Sequence, residues 1–156
     1  MRYGFLILSL LFISCNHKTY MHQESTKIHA FRLKPGQDLR EELEAFVRKE
    51  GIKAGWMVTC VGSLTQASLR LANQSGATIL NGHFEIVSLV GTLSTNGSHL
   101  HLSVSDSTGR TVGGHLLPGN KIYTTAEIVI GESRELVFSR EVDGTTPWEE
   151  LQIKKK

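Results

Sequence analysis

Residues 98–115 read Ser98-His-Leu-His-Leu-Ser-Val-Ser-Asp-Ser-Thr-Gly-Arg-Thr-Val-Gly-Gly-His115, with a turn sequence at the centre. This pattern predicts a β-hairpin. His99 and His101 are two residues apart, so on a strand they point to the same face. An antiparallel register centred on Thr108 puts His101 opposite His115, since each lies seven residues from Thr108. The hairpin is therefore predicted to bring three histidines together.

The side chains of these three histidines are suited to bind a metal ion, because imidazole is the commonest protein ligand for zinc and similar metals. Directly opposed residues have Cβ atoms about 4.5–5.5 Å apart, and diagonal neighbours about 7–8 Å. Three nitrogen ligands leave a coordination position free for water or a substrate, which is the pattern of a reactive metal site. The alternative is a set of surface histidines, since a register slip of one residue would turn His115 to the opposite face.

Other polar residues of the chain carry weaker signals. Ser103 and Ser105 are predicted to share a strand face with the first two histidines of the hairpin, but this spacing alone does not make a catalytic pair. The remaining histidines are predicted to be structurally neutral; they are His17, His22, His29 and His83. Cys60 lies in an apolar run and is expected to be a buried, unreactive thiol.

The amino end has the pattern of an export signal. Residues 1–14 combine one positive charge with an apolar run that is shorter than the roughly 20 residues of a membrane span. Phe12-Ile-Ser-Cys15 resembles a bacterial lipobox, with phenylalanine where leucine is usual. We therefore expect cleavage before Cys15 and lipidation of that cysteine. Asn16 follows it, which favours the periplasmic side of the outer membrane as the location.

The length and charge of the chain predict one domain. Removal of residues 1–14 from a chain of 156 leaves 142, which is enough for one hydrophobic core. Loss of Arg2 lowers the formal net charge from +2 to +1, so the mature chain has no strong basic field. The predicted organisation is a signal peptide over 1–14, a linker over 15–25, a domain over 26–142 and a C-terminal tail over 143–156, whose terminal lysines are solvated.

Hydrophobic periodicity predicts one helix and many strands. Asp38 is predicted to cap the helix, with Glu41 completing a capping-box-like pair, and Gly51 ends it. Asn81-Gly82 is predicted as a turn. The predicted strands are 26–33, 56–63, 67–71, 77–80, 83–93, 99–105, 111–116, 121–130 and 135–142. This pattern implies an α+β fold, with a mixed or antiparallel sheet of about seven or eight strands packed with one main helix.

Four sequence strings occur in a characteristic order. They are Gly82-His-Phe-Glu-Ile-Val-Ser-Leu-Val-Gly91, His99-Leu-His101, Val112-Gly-Gly-His-Leu116 and Thr125-Ala-Glu-Ile-Val-Ile130. Together they resemble the plants-and-prokaryotes conserved (PPC) domain over about residues 26–140. The resemblance implies an α+β sheet structure, a homotrimer and a metal site, for zinc, at His99, His101 and His115. Glu85 lies within the first string, either as a partner of the metal ligands, as a base, or, as we favour, paired with a neighbouring strand.

Three functions follow from this resemblance taken together with the export signal. The favoured one is an exported, trimeric metal-binding or assembly module of unknown ligand. The second is a metal-dependent enzyme in which the ion activates water or polarises a small-molecule substrate. The third is DNA binding, because plant members join this domain to AT-hook segments with an Arg-Gly-Arg-Pro core. That string does not occur in this chain, and the low net charge also disfavours a nucleic-acid partner.

Overall fold

The computed structural model describes residues 25–156. The elements in chain order are β1 (Thr26–Leu33), α1 (Leu39–Glu50), β2 (Gly55–Arg70), β3 (Thr78–Leu93), β4 (His99–Ser105), β5 (Thr111–Leu116), β6 (Lys121–Ser133), β7 (Leu136–Val142) and β8 (Glu149–Lys155). The predicted signal peptide, Cys15 and the predicted linker up to residue 24 lie outside the described residues. Within residues 25–156, no helix has both the length and the apolar character that crossing a bilayer requires.

Six strands form one antiparallel sheet in the order β1-β6-β2-β3-β4-β5, and β7 and β8 form a separate pair. β5 also pairs with the carboxyl end of β2, where Arg70 lies opposite His115. This second pairing closes β2, β3, β4 and β5 into a ring, so β5 is paired on both sides there. The predicted antiparallel strands, about eight in number, and the one main helix are confirmed, but the strands form a six-stranded sheet and a separate pair rather than one sheet.

The helix forms where its capping residues predict it. Asp38 Oδ1 accepts hydrogen bonds from the backbone N–H groups of Arg40 and Glu41, at 3.0 and 3.2 Å, which satisfies donors that the first turn leaves unpaired. Gly51 ends the helix in the left-handed conformation at φ 67°. The apolar face of the helix is buried in the core, through Leu39, Leu43 and Val47. Cys60 is buried in the same core, which raises the pKa of its thiol to about 12 and confirms the predicted unreactive environment.

The prediction of a turn at Asn81-Gly82 is wrong, because both residues lie inside β3. Asn81 pairs with Gln66, and Gly82 continues the strand at φ 146°, a conformation open to glycine. The register of β2 shifts between Leu64 and Gln66. Such a bulge interrupts the alternation of side chains along a strand. For this reason, the sequence of β2 and that of β3 each resemble two short strands.

The predicted strands stop at Val142 and miss β8. β8 lies within the segment that was predicted as a tail, and it pairs with β7 so that Lys154 is opposite Val137. Its sequence Glu149-Glu-Leu-Gln-Ile-Lys-Lys155 is mostly charged, and none of its residues is fully buried. A strand that is held by backbone pairing rather than by a buried face has no strong periodic signal. Lys154 and Lys155 are therefore strand residues, with exposed side chains.

Candidate metal centre

The hairpin of β4 and β5 brings the three predicted histidines together. His101 lies opposite His115 in the register, as predicted, and His99 follows on the same face of β4. One ligand atom of each histidine lies within 4.8 Å of the others, and the Nε2 atoms of His99 and His101 are 3.1 Å apart. The two rings of β4 are exposed, and that of His115 is half-buried. The side chains therefore converge on one point at the surface of the sheet.

The donor set fits a tetrahedral metal ion. Zn–N bonds of 2.0–2.1 Å imply nitrogen atoms about 3.4 Å apart around one zinc, so small side-chain rotations bring the three ligand atoms to that spacing. His115 Nδ1 is buried and has no hydrogen-bond partner within residues 25–156. An unpaired buried nitrogen costs free energy, which coordination of a cation would recover. The three-histidine cluster can therefore hold a metal.

The electrostatic surroundings keep two of these histidines neutral. Burial, and after it the nearby guanidinium of Arg70, lower the pKa of His115 to about 4. The pKa of His99 is also lowered, first by burial and then by Arg140. An imidazole whose pKa is lowered stays neutral at pH 7, and a metal ligand must be neutral to offer its lone pair. Both residues are therefore in the form that binds a cation.

Two glycines let the backbone approach closely beside the histidines. Gly91 of β3 lies opposite Leu100, at φ 140°, and a Cβ atom there would lie 1.9 Å from the carbonyl oxygen of His99. A Cβ atom on Gly114 would lie 2.7 Å from the carbonyl oxygen of Arg70. Glycine is the residue that permits such contacts. These two positions fix the strand spacing on both sides of the hairpin, a role that the sequence pattern does not predict.

A cavity of about 440 Å³ opens beside His99 and His115. It is lined by three arginines from separate elements and by one exposed aromatic residue; these are Arg40, Arg70, Arg140 and Trp148. None of these four residues is predicted from the sequence, because no local motif links residues of α1, β2, β7 and the segment before β8. The interleaving of acidic and basic residues along the chain gave no indication that these arginines meet in space.

The structure does not bring Glu85 to the three histidines. Glu85 pairs with Ser63 on β2 and with Ser105 on β4. Ser105 lies four residues beyond His101 on the same strand, and a rise of about 3.3 Å per residue puts the two about 13 Å apart. Glu85 is therefore not positioned to orient a metal ligand directly. It lies on β3, where it is paired with β2 on one side and with β4 on the other.

Two other histidines make structural contacts. His29 is buried and its Nε2 lies 2.9 Å from Oε2 of Glu132, which links β1 to β6. The ring of His83 packs against Tyr123, with the ring centres 4.3 Å apart. His17 and His22 lie outside the described residues. The pairing of His29 with Glu132 was not predicted, because the two residues are 103 positions apart in the chain.

The sequence matches a family model and a curated relative. The model of the Plants and Prokaryotes Conserved (PCC) domain matches residues 20–134. The chain is 51% identical to the bifunctional protein GlmU of Synechococcus sp. strain JA-3-3Ab over 131 residues, which cover 84% of this chain and 21% of GlmU. The chain thus spans about a fifth of the length of that curated relative. The similarity concerns one part of a longer protein.

Two solved structures share the fold. A protein of Salmonella enterica is 44% identical, with a TM-score of 0.84 over 86% of this chain and 97% of that one. A protein of Archaeoglobus fulgidus described as metal-containing is 23% identical, with a TM-score of 0.72 over 83% of this chain and 96% of that one. The family model covers well over half of the chain. The chain belongs to the Plants and Prokaryotes Conserved (PCC, or PPC) domain family.

Proposed function

We propose that this protein is a metal-binding module that holds one zinc ion through His99, His101 and His115. The observation that carries the proposal is the convergence of three ligand atoms within 4.8 Å of one another, one histidine of the set having a buried Nδ1 atom without a partner. The description of the Archaeoglobus fulgidus relative as metal-containing supports it. Metal analysis of the purified protein by mass spectrometry tests it: about one zinc per chain is expected, and a metal-free protein after incubation with zinc would overturn it.

The cavity beside the histidines favours a second candidate function, a metal-dependent enzyme. A zinc ion with three nitrogen ligands supplies a Lewis acid that polarises a bound oxygen. The residues of this chain would bind and orient a small molecule next to the ion, since the cavity of about 440 Å³ is in the range of ligand sites. Ser103 lies on the histidine face of β4, opposite Gly113. This position alone does not identify Ser103 as a nucleophile or a base.

We also propose that the protein works as a homotrimer, as the family resemblance implies. Support comes from the outer face of the sheet, where Ile28, Val61 and Val90 are each more than half exposed, at 58%, 54% and 55%. They lie on β1, β2 and β3, next to buried residues that point into the core. An exposed apolar face of this kind is typical of an association surface, and a second copy of the chain is the partner that we propose for it.

The substitution Val61→Glu tests the trimer. We expect it to convert a species of three chain masses into single chains in sedimentation velocity, because a carboxylate buried between protomers has no partner. Val142→Glu is the matched control: Val142 is also exposed, at 66%, but it lies on β7, outside the six-stranded sheet. A wild-type protein that sediments as a single chain at micromolar concentration would overturn the proposal.

We propose, finally, that the protein is exported and anchored by a lipidated Cys15 on the periplasmic side of the bacterial outer membrane. The sequence Phe12-Ile-Ser-Cys15 after an apolar run supports this location. We expect Cys15→Ser to move the protein from the membrane fraction to the soluble fraction of cells, as followed by immunoblot. Cys60→Ser is the matched control, because Cys60 is the other cysteine of the chain. Membrane attachment of the Cys15→Ser protein would contradict lipidation.

A further inference from the structure

The cavity next to the three histidines has a charge pattern that points to the class of its ligand. Arg70 lies opposite His115 in the pairing of β2 with β5. Arg140 Nη2 donates a hydrogen bond of 2.7 Å to Oγ1 of Thr92, the residue that pairs with His99. Two guanidinium groups therefore flank the histidine cluster, one on each side. The strand register places Arg70 next to His115, and the hydrogen bond to Thr92 holds Arg140 next to His99.

The three guanidinium groups of the cavity differ in whether they form an ion pair with an acidic side chain. Arg40 is paired with Glu44 at 2.5 Å and donates to the carbonyl oxygen of Leu116. Arg70 and Arg140 form no ion pair within residues 25–156. Arg70 instead lies 5.7 Å from the ring centre of Trp148, in a cation–π contact. Two half-buried positive groups thus retain donors that can bind an anion.

Acidic residues also line the cavity, and they limit its charge. Glu44 is already paired with Arg40, and Glu150 accepts a hydrogen bond of 2.6 Å from Thr146. Glu149 is exposed at the rim. Glu150 lies next to His99 in the cavity lining and opposes part of the positive charge. Arg70 and Arg140 are the guanidinium groups that face the histidines without an ion pair in the described part of the chain, and a divalent ion at the histidines would add to their field. Two guanidinium groups and a cation with an open position suit an oxyanion, because the guanidinium fork matches carboxylate and phosphate geometry.

The size and walls of the cavity indicate a ligand larger than a bare ion. A volume of about 440 Å³ exceeds what inorganic phosphate fills and falls in the range of small organic ligands. Trp148 is 64% exposed and forms one wall. An exposed aromatic ring beside an arginine pair can pack against the organic part of a ligand while its anionic group reaches the charges.

We propose that this cavity binds a small organic oxyanion, with its carboxylate or phosphate group held between Arg70, Arg140 and the open position of the metal ion. The inference rests on the proposed metal-binding function and adds the ligand class to it. The ion and the two guanidinium groups would share the anionic charge, and Trp148 would cover the organic part. The ligand class follows from the chemistry of the site alone.

Calorimetric titration of the full chain with phenyl phosphate and with benzoate tests the proposal, in zinc-loaded and in metal-free protein. We expect at least one of the two probes to bind the zinc-loaded protein about tenfold or more tightly than the metal-free protein. We expect Arg70→Ala to weaken that binding by roughly tenfold to a hundredfold, because charge-assisted hydrogen bonds are lost. Arg110→Ala is the matched control, since it removes the same charge from the exposed far end of the hairpin. Zinc content is measured in every variant.

The outcomes separate the anion site from the metal site. Zinc-loaded protein that binds neither probe at millimolar concentration overturns the anion site and leaves the metal site standing. Equal affinities in Arg70→Ala and wild type, or equal losses in Arg70→Ala and Arg110→Ala, overturn the role of the arginines. A wild-type protein that takes up no zinc overturns the proposed function. It also overturns the claim that a metal ion helps to bind the anionic group. Quenching of Trp148 fluorescence by the bound probe, absent in Trp148→Phe, supports the assigned cavity.

Discussion

Replacement of His101 by alanine is expected to reduce bound zinc from about one ion per chain to less than about a tenth, at equal free zinc. His101 lies in the middle of the set, opposite His115 and two residues from His99 on the same face. Its loss leaves two nitrogen ligands, and two do not complete the minimum set of protein ligands that zinc sites use. Loss of a residue that only orients a ligand already costs 10–100-fold in affinity, so loss of a ligand is expected to cost more.

The measurement is mass-spectrometric metal analysis after dialysis against a zinc buffer, for wild type, His101→Ala and His83→Ala. His83 is the matched control, because its ring packs against Tyr123, away from the hairpin. We expect His83→Ala to retain its zinc. Circular dichroism and urea unfolding show whether each variant is folded. Equal zinc content in His101→Ala and wild type would contradict the three-histidine site, and equal losses in both variants would point to loss of the fold instead.

The hairpin was predictable because its geometry is local. The turn sequence sets the register, and the register decides which residues face each other, so the pairing of His101 with His115 needed only the spacing of residues 98–115. The helix was predictable for the same reason, since Asp38 and Gly51 mark its ends. Neither prediction required knowledge of which strands neighbour each other in the sheet.

The arginine cavity was not predictable, because it depends on the closure of the sheet and on β8. Arg70 reaches His115 only through the second pairing of β5 with β2, and Arg140 reaches the site only because β7 lies near Thr92. Trp148 precedes a strand that has no buried face. Long-range pairings of this kind leave no periodic signal in the segments that they join. The residues that define the ligand class are therefore the ones that the sequence pattern missed.

Replacement of Gly91 by alanine is expected to destabilise the fold by about 3–4 kcal/mol, in the range of severe core substitutions. A Cβ atom at this position would lie 1.9 Å from the carbonyl oxygen of His99, and the backbone is at φ 140°, which alanine rarely adopts. The close contact is with backbone, so β3 and β4 must move apart where Gly91 faces Leu100. His99 would shift with β4, and zinc affinity should fall together with the midpoint of urea unfolding.

Gly109→Ala separates the two causes of this effect. Gly109 also has a positive φ, of 82°, but a Cβ atom there would have no neighbour within 4 Å. The variant therefore carries the backbone cost alone, of about 1–2 kcal/mol, and we expect it to keep wild-type zinc affinity. The difference between the two unfolding free energies measures the cost of the contact with His99 together with the larger backbone cost of alanine at φ 140°. If Gly91→Ala unfolds at the same urea concentration as Gly109→Ala, the close approach of β3 and β4 does not hold the metal hairpin in place.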